Sequence, residues 1–171
     1  ALLPFGGKQV ALGERVEISP GGFAQANALL LETLARHVVE AAGTGEEALE
    51  LFAGAGFFTL ALARRFARLT AVESDPRAVA DLARNLRAAS LRHVRVVEAK
   101  SEVVLADAAA QRVKPEVIVL DPPRGGVGPR AGRDLVRIQA RRVVHVSFDP
   151  ATLARDLPEL VQRGSVGTPV T

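Results

Sequence analysis

"EALELFAGAGFFTLALARRFARLTAVES", residues 47–74, decides the fold. An apolar run ends at Leu51, breaks at Gly54 and Gly56, resumes at helical spacing, and gives way to a second run, "RLTAVES", ending near Glu73. Strand, glycine turn, helix and strand in that order make one right-handed crossover unit of a parallel sheet. The alternation continues downstream. Helices are predicted over "PRAVADLARNLRAAS", "SEVVLADAAAQR", "GRDLVRI" and "ATLARDLPELVQR", and strands over "HVRVVEA", "EVIVLD" and "RRVVHVS". Upstream, "QANALLLETLARHVVEAA" is predicted as a helix that stops before Gly43. Strands written as near-continuous Val, Ile and Leu are buried on both faces. The expected fold class is therefore α/β: a doubly wound, Rossmann-like, mostly parallel sheet of five strands with helices on both faces. Residues 1–22 are read as the tail of a preceding segment or an N-terminal extension, and 23–171 as the domain itself.

At 171 residues, with 48% hydrophobic and 24% charged positions, the chain has the size and composition of one globular domain. No apolar run reaches the roughly 18 residues of a membrane span, and no basic stretch leads into an apolar one at the N-terminus, so a cytoplasmic protein is expected. The net charge is +3, the sequence pI is about 10.1, and the basic side is almost all arginine. Arginine forms bidentate contacts with phosphate, which points to an anionic partner such as RNA; an arginine-rich codon usage gives the same composition. The chain has no Cys, which excludes disulfides, thiolate metal ligands and thiol nucleophiles from these residues. His37, His93 and His145 lack ligand spacing, so no metal is expected.

Ligands of open α/β sheets bind beyond the carboxyl ends of the strands, so the strand ends select the candidate residues. Gly54 and Gly56 let the backbone turn tightly under a ligand, with the next helix expected to present N–H groups there. Glu73 ends the second strand 19 residues after Gly54, the distance at which a carboxylate accepts hydrogen bonds from the ribose hydroxyls of a nucleoside cofactor. Thr59 stands where a dinucleotide fingerprint has its third small residue, which disfavours a nicotinamide-binding domain. The fourth strand runs into "LDPPRGG", where consecutive prolines hold Asp121 and the segment leading to Arg124 in an extended, stiff conformation at the crevice.

In this order the motifs "SPGGFAQAN", "ELFAGAGFFTLALA", "AVESDPRAVADLARN", "VLDPPRGG" and "VVHVSFDPATLARDL" resemble the catalytic domain of the RNA 5-methyluridine methyltransferases over most of the chain. The resemblance implies a methyltransferase fold that uses S-adenosylmethionine, and an rRNA or tRNA substrate. It places Gln25, Phe52, Glu73 and Asp121 on cofactor-contacting positions, with Gly54 and Gly56 under the methionine part. Phe57 stands where that family commonly has Asn, and Lys100 where it has Asn or Asp near the adenine.

The same resemblance exposes a chemical gap. The family adds a Cys thiolate to uracil C6 to make C5 nucleophilic, and Phe148 occupies that Cys position. A Ser147 assisted by His145 is the available substitute nucleophile, although both lie on one strand face while 148 is the loop position. The family also continues beyond a glycine like Gly164 into a segment carrying a general base, and begins with an RNA-binding barrel. Both are expected to be absent here, so that the C-terminal part reads as truncated. Three functions follow: a methyltransferase acting on an exocyclic nitrogen or hydroxyl without the Cys; a non-catalytic module that binds S-adenosylmethionine or RNA, with Phe148 as a stacking surface or a plug; and a nicotinamide-binding domain, the weakest of the three.

Overall fold

In the computed structural model, which describes residues 2–3, 6–23, 30–147, 149 and 151, the apolar runs lie side by side as parallel strands. The elements in chain order are β1 (Leu2–Leu3), β2 (Gly7–Ala11), β3 (Glu14–Ile18), β4 (Gly22–Phe23), α1 (Leu31–Ala42), β5 (Gly45–Leu51), α2 (Thr59–Ala63), β6 (Phe66–Glu73), α3 (Pro76–Ala88), β7 (Val94–Glu98), α4 (Ser101–Gln111), β8 (Val117–Leu120), α5 (Gly128–Ile138) and β9 (Arg142–His145). Strands β5 to β9 form the sheet in the order β7-β6-β5-β8-β9, all pairs parallel. The chain winds outward from β5 to β7, then returns to the other side of β5 for β8 and β9. The strand order reverses beside β5, which is where ligands of such sheets collect.

Successive side chains on a strand point to opposite faces, and the two cores divide accordingly. Ala48 packs on the face covered by α1, α2 and α3, with Val38, Leu60 and Leu82. Leu49 and Leu51 pack on the other, with Leu105 of α4 and Leu135 and Ile138 of α5. Leu51, Ile118 and Leu120 are fully covered, and burial of each contributes about 1.5–3 kcal/mol over exposure. The doubly wound α/β architecture expected from the sequence is the one observed.

Several boundaries differ from the expectation. The helix after the glycine loop is only Thr59–Ala63, and Phe66 already belongs to β6, paired with Gly45. Helical spacing continues through residues 64–67, but Phe66 is buried and fits against Gly45, where a Cβ would come within 3.3 Å of its ring. Tertiary packing outweighs local pattern there. Helix α5 starts earlier than expected, at Gly128, with Pro129 in its first turn. The helix expected over "ATLARDLPELVQR" lies outside the described residues apart from Ala151, and the first helix is described from Leu31 onward.

The segment read as a preceding tail carries a hairpin. β2 and β3 pair antiparallel around Leu12 and Gly13, whose φ values of 52° and 77° are those of a tight two-residue turn. Val16 and Ile18 are buried in the core shared with α1 to α3. Helix α3 starts on Asp75, which accepts from the Arg77 N–H at 2.9 Å and is followed by Pro76 at the first helical position.

Helix α1 has no basic residue in its last turn. Its terminal carbonyls are met instead from the far edge of the sheet: Arg142 Nη1 donates to the carbonyls of Ala41 at 2.9 Å and Ala42 at 3.0 Å. Among the described residues no helix is long and apolar enough to cross a membrane.

Candidate functional site

Three carboxylates collect where the central strands end. Leu51 is level with Val72 of β6 and Leu120 of β8, so Glu73 and Asp121 leave the sheet at the edge from which Phe52 and the glycine loop depart. Glu73 is half-buried and its two oxygens are both engaged. Oε2 accepts from the Gly54 N–H at 2.8 Å, while Oε1 accepts from the N–H groups of Ser74 at 2.6 Å and Asp75 at 2.8 Å. The carboxylate thereby ties the glycine loop to the end of β6. A carboxylate oxygen accepts more than one hydrogen bond, so lone pairs remain for hydroxyl groups of a ligand.

The two glycines have different reasons to be glycine. At Gly56, with φ of 100°, a Cβ would lie 2.7 Å from Leu82 Cδ1, so the loop packs flush against α3. At Gly54, with φ of 56°, a Cβ would meet nothing within 4 Å. Open space above a fixed backbone is a place for a ligand to lie. Phe52, at φ of 61°, takes the left-handed conformation without being glycine, a strain that structures retain mostly at functional positions. The helix expected to present N–H groups to this loop, α2, has only five residues, and the loop is held by the side chain of Glu73 and that of Asn85.

Glu50, on β5 beneath this loop, is 2% exposed. Burial pushes its carboxyl up to about 8; the Thr59 hydroxyl opposes the rise, and the charges of Asp121 and Glu73 add to it. Although Thr59 lies near enough to favour the ionised form, neither its Oγ1 nor Glu50 Oε2 makes a hydrogen bond of full geometry. At neutral pH the group is therefore largely a protonated acid, which offers a donor as well as an acceptor. Nothing marked it in the sequence except its place one residue before the end of a strand, between Leu49 and Leu51.

Behind the loop, two polar residues of α3 join it to the hairpin. Asp81 and Asn85, at i and i+4, share one face and are both buried. Asn85 Nδ2 donates to the carbonyls of Glu17 and Ala55, both at 2.9 Å, and its Oδ1 accepts from the Glu17 N–H at 3.1 Å. Asp81 accepts from the Ser19 N–H at 2.7 Å, the Ser19 hydroxyl at 2.6 Å and Arg84 at 2.8 Å. One amide thus holds both β3 and the turn between Gly54 and Gly56. The signal was an i, i+4 polar pair on an otherwise amphipathic helix.

Of the residues expected at the site, Phe52, Gly54, Gly56, Glu73 and Asp121 come together at this edge. Gln25 and Phe148 lie outside the described residues. Phe57 packs edge-on against Phe58, with ring centroids 4.9 Å apart. Lys100 is exposed and directly precedes α4, and Arg124 is exposed in the loop after Asp121. Ser147 does not present a nucleophile paired with His145: its hydroxyl donates to the Asp149 carbonyl at 3.0 Å and accepts from the Asp149 N–H at 3.4 Å.

Residues 13–168 match the model of the tRNA (uracil-5-)-methyltransferase family. The chain is 39% identical over 147 residues to the 23S rRNA (uracil(1939)-C(5))-methyltransferase RlmD of Pseudomonas aeruginosa, covering 85% of this chain and 32% of that protein. It is 36% identical over 152 residues to an uncharacterized RNA methyltransferase of Caldanaerobacter subterraneus, covering 88% and 34%. The chain thus spans about a third of the length of these relatives. Among solved structures it is similar to the tRNA (uracil-54, C5)-methyltransferase of Pyrococcus abyssi in complex with S-adenosyl-L-homocysteine, with a TM-score of 0.76, 28% identity, and coverage of 91% of this chain and 38% of that one.

Proposed function

Because the chain belongs to the tRNA (uracil-5-)-methyltransferase family, we propose that it is an S-adenosylmethionine-dependent RNA methyltransferase domain whose cofactor lies at the carboxyl edge of β5, β6 and β8. The observation that carries this is the bond from Gly54 N–H to Glu73, because it sets a carboxylate and an open glycine backbone side by side. Glu73 would accept the ribose hydroxyls, Gly54 and Gly56 would lie under the methionine part, and Phe52, Asp121 and Gln25 would complete the cofactor contacts. The residues present fit such a group: nothing stands within 4 Å of where a Gly54 side chain would begin, and beneath the loop the buried Glu50 Oε2 is a polar atom without a hydrogen-bond partner among the described residues. When bound, S-adenosylmethionine supplies an electrophilic methyl group. The chain's own residues then have to position an acceptor atom and exclude water.

These residues include no Cys, and Phe148 stands at the nucleophile position of the family. Covalent activation of uracil C5 through this chain is therefore disfavoured. Atoms nucleophilic enough without it, an exocyclic nitrogen or a hydroxyl of RNA, suit the site better. A module that binds cofactor or RNA without turnover is the second reading, favoured by the same Phe148.

Titration calorimetry with S-adenosylhomocysteine and with NAD tests the site. The homocysteine nucleoside should bind, and Glu73→Ala should weaken it by about 1.5–3 kcal/mol, the range for a hydrogen bond to a charged group. Preference for NAD would overturn the assignment. Tritium transfer from labelled S-adenosylmethionine to total RNA, with mass spectrometry of the nucleosides, then identifies the acceptor; no transfer despite cofactor binding would favour the non-catalytic module.

A further inference from the structure

Helices α4 and α5 lie together on one face of the sheet, and the cleft along them is arginine over alanine. One part, of about 420 Å³, is lined by Arg130, Arg133 and Arg137 with Ala106 and Ala109 beneath. A second part, of about 440 Å³, shares Ala109 and Arg137 and continues to Arg112 and Lys114. Positions 130, 133 and 137 fall on one side of α5, so roughly 10 Å of helix presents three guanidinium groups in a row. Asp134 is the one carboxylate lining either part, and it is buried and paired with Arg137 at 3.2 Å. Among the described residues Arg130 and Arg133 have no carboxylate partner, and both are exposed. Five cations thus face one neutralised acid.

Both helices start at the carboxyl ends of their strands, α4 at Ser101 after β7 and α5 at Gly128 after β8. Arg130, in the first turn of α5, therefore marks the end of the cleft nearer the edge that holds the candidate site, and Arg112 and Lys114, past the last turn of α4, mark the far end. Guanidinium groups bind phosphate oxygens as planar forks, and alanine leaves room for a phosphate to approach. No aromatic ring lines either part, so the apolar platform on which unpaired bases most often stack is missing from the lining. A row of cations without a stacking surface matches a polyphosphate backbone rather than bases or a single anion. Resting on the reading of the chain as an RNA methyltransferase domain, we propose that the α4–α5 cleft is a docking track for the ribose-phosphate backbone of RNA flanking the target nucleotide. Binding along it is independent of base sequence and strongly salt-dependent.

Fluorescence anisotropy of a short labelled single-stranded RNA on the 171-residue chain tests the track. The double variant Arg130→Glu, Arg133→Glu should lose about tenfold or more in affinity at about 50 mM salt, and its log–log salt slope should shrink by at least ~1.4, the value for two phosphate contacts on a single strand. A matched reversal of Arg87 and Arg92, exposed on the opposite flank, changes net charge equally and should cost less than about threefold. Uridine-only and adenosine-only RNA should bind alike. Equal losses in the two double variants, or an unchanged affinity in the first, would overturn the track. Retained RNA affinity with lost binding to phosphatidylserine vesicles would overturn it in favour of a membrane surface. Calorimetry with S-adenosylhomocysteine on the same variants separates the outcomes: intact cofactor binding beside a failed RNA test leaves the methyltransferase reading standing, and absent cofactor binding in the parent removes that reading instead.

Discussion

Replacing Glu50 by Gln should change how stability depends on pH while leaving volume and burial almost untouched. The native carboxyl titrates at about 8 against an ordinary value of 4.5, chiefly because burial disfavours its charge. Between those values the native state holds a proton that the unfolded chain has released, so stability falls as pH rises, by about 1.4 kcal/mol per pH unit. The stability is fully present below 4.5 and is lost as pH passes through 8, a total of roughly 5 kcal/mol. Between pH 5 and 8 the parent should lose roughly 3–4 kcal/mol from this group alone. Gln carries no such dependence. Urea denaturation of parent and Glu50→Gln at pH 5, 6, 7 and 8, at constant ionic strength, reads the difference, and subtracting one curve from the other removes every other titrating group. The variant should overtake the parent as pH rises. Parallel pH profiles would refute a neutral Glu50 in the native protein, and with it the claim that burial governs the group.

Gly56→Ala should destabilise by about 2–3 kcal/mol in urea titrations, because the Cβ meets Leu82 at 2.7 Å and the backbone lies at φ of 100°, whereas Gly54→Ala should cost only about 1 kcal/mol and act mainly on cofactor affinity. Asn85→Ala should cost roughly 2–4 kcal/mol, since it strands the Glu17 N–H and the Ala55 carbonyl and leaves the Glu17 carbonyl with only Arg84 at 3.4 Å, and S-adenosylhomocysteine should bind more weakly in calorimetry as the loop loosens. Phe148→Cys should let RNA containing 5-fluorouridine trap a covalent adduct that mass spectrometry detects and the parent lacks; no adduct, with RNA and cofactor bound, would mean that more than this one side chain separates the pocket from the uridine reaction.

The sheet was legible because its central strands are written in a way that burial on both faces explains, as in "EVIVLD", whose four strand residues are all buried. Boundaries were less so where a residue serves a distant partner: Phe66 extends a helical pattern but belongs to the strand beside Gly45. Only half of the hairpin carried a signal: "ERVEI" alternates polar and apolar residues, whereas β2 buries Gln9 and exposes Val10, and its reason to fold is the core of α1 to α3 that accepts Val16 and Ile18. At the site, spacing alone related Glu73 to the glycine loop, and the hydrogen bond to Gly54 N–H gives that spacing its geometry. Glu50 and Asn85 were only faintly marked in the sequence, for one reason. Their significance lies in what surrounds them, a desolvated strand end in one case and two separate backbone segments in the other.

The guanidinium of Arg142 that closes the end of α1 comes from a strand 100 residues further along. A chain growing from its N-terminus therefore carries α1 with open carbonyls until β9 has been made and has joined the edge of the sheet. Completion of an early helix waits on a late strand, which couples the first and last described parts of the sheet domain into one cooperative event. The reverse holds for opening. If β9 peels from the edge, the last turn of α1 loses its cap while the central strands stay paired, so the amides at the end of α1 should exchange with solvent in step with those of β9 rather than with those of the core.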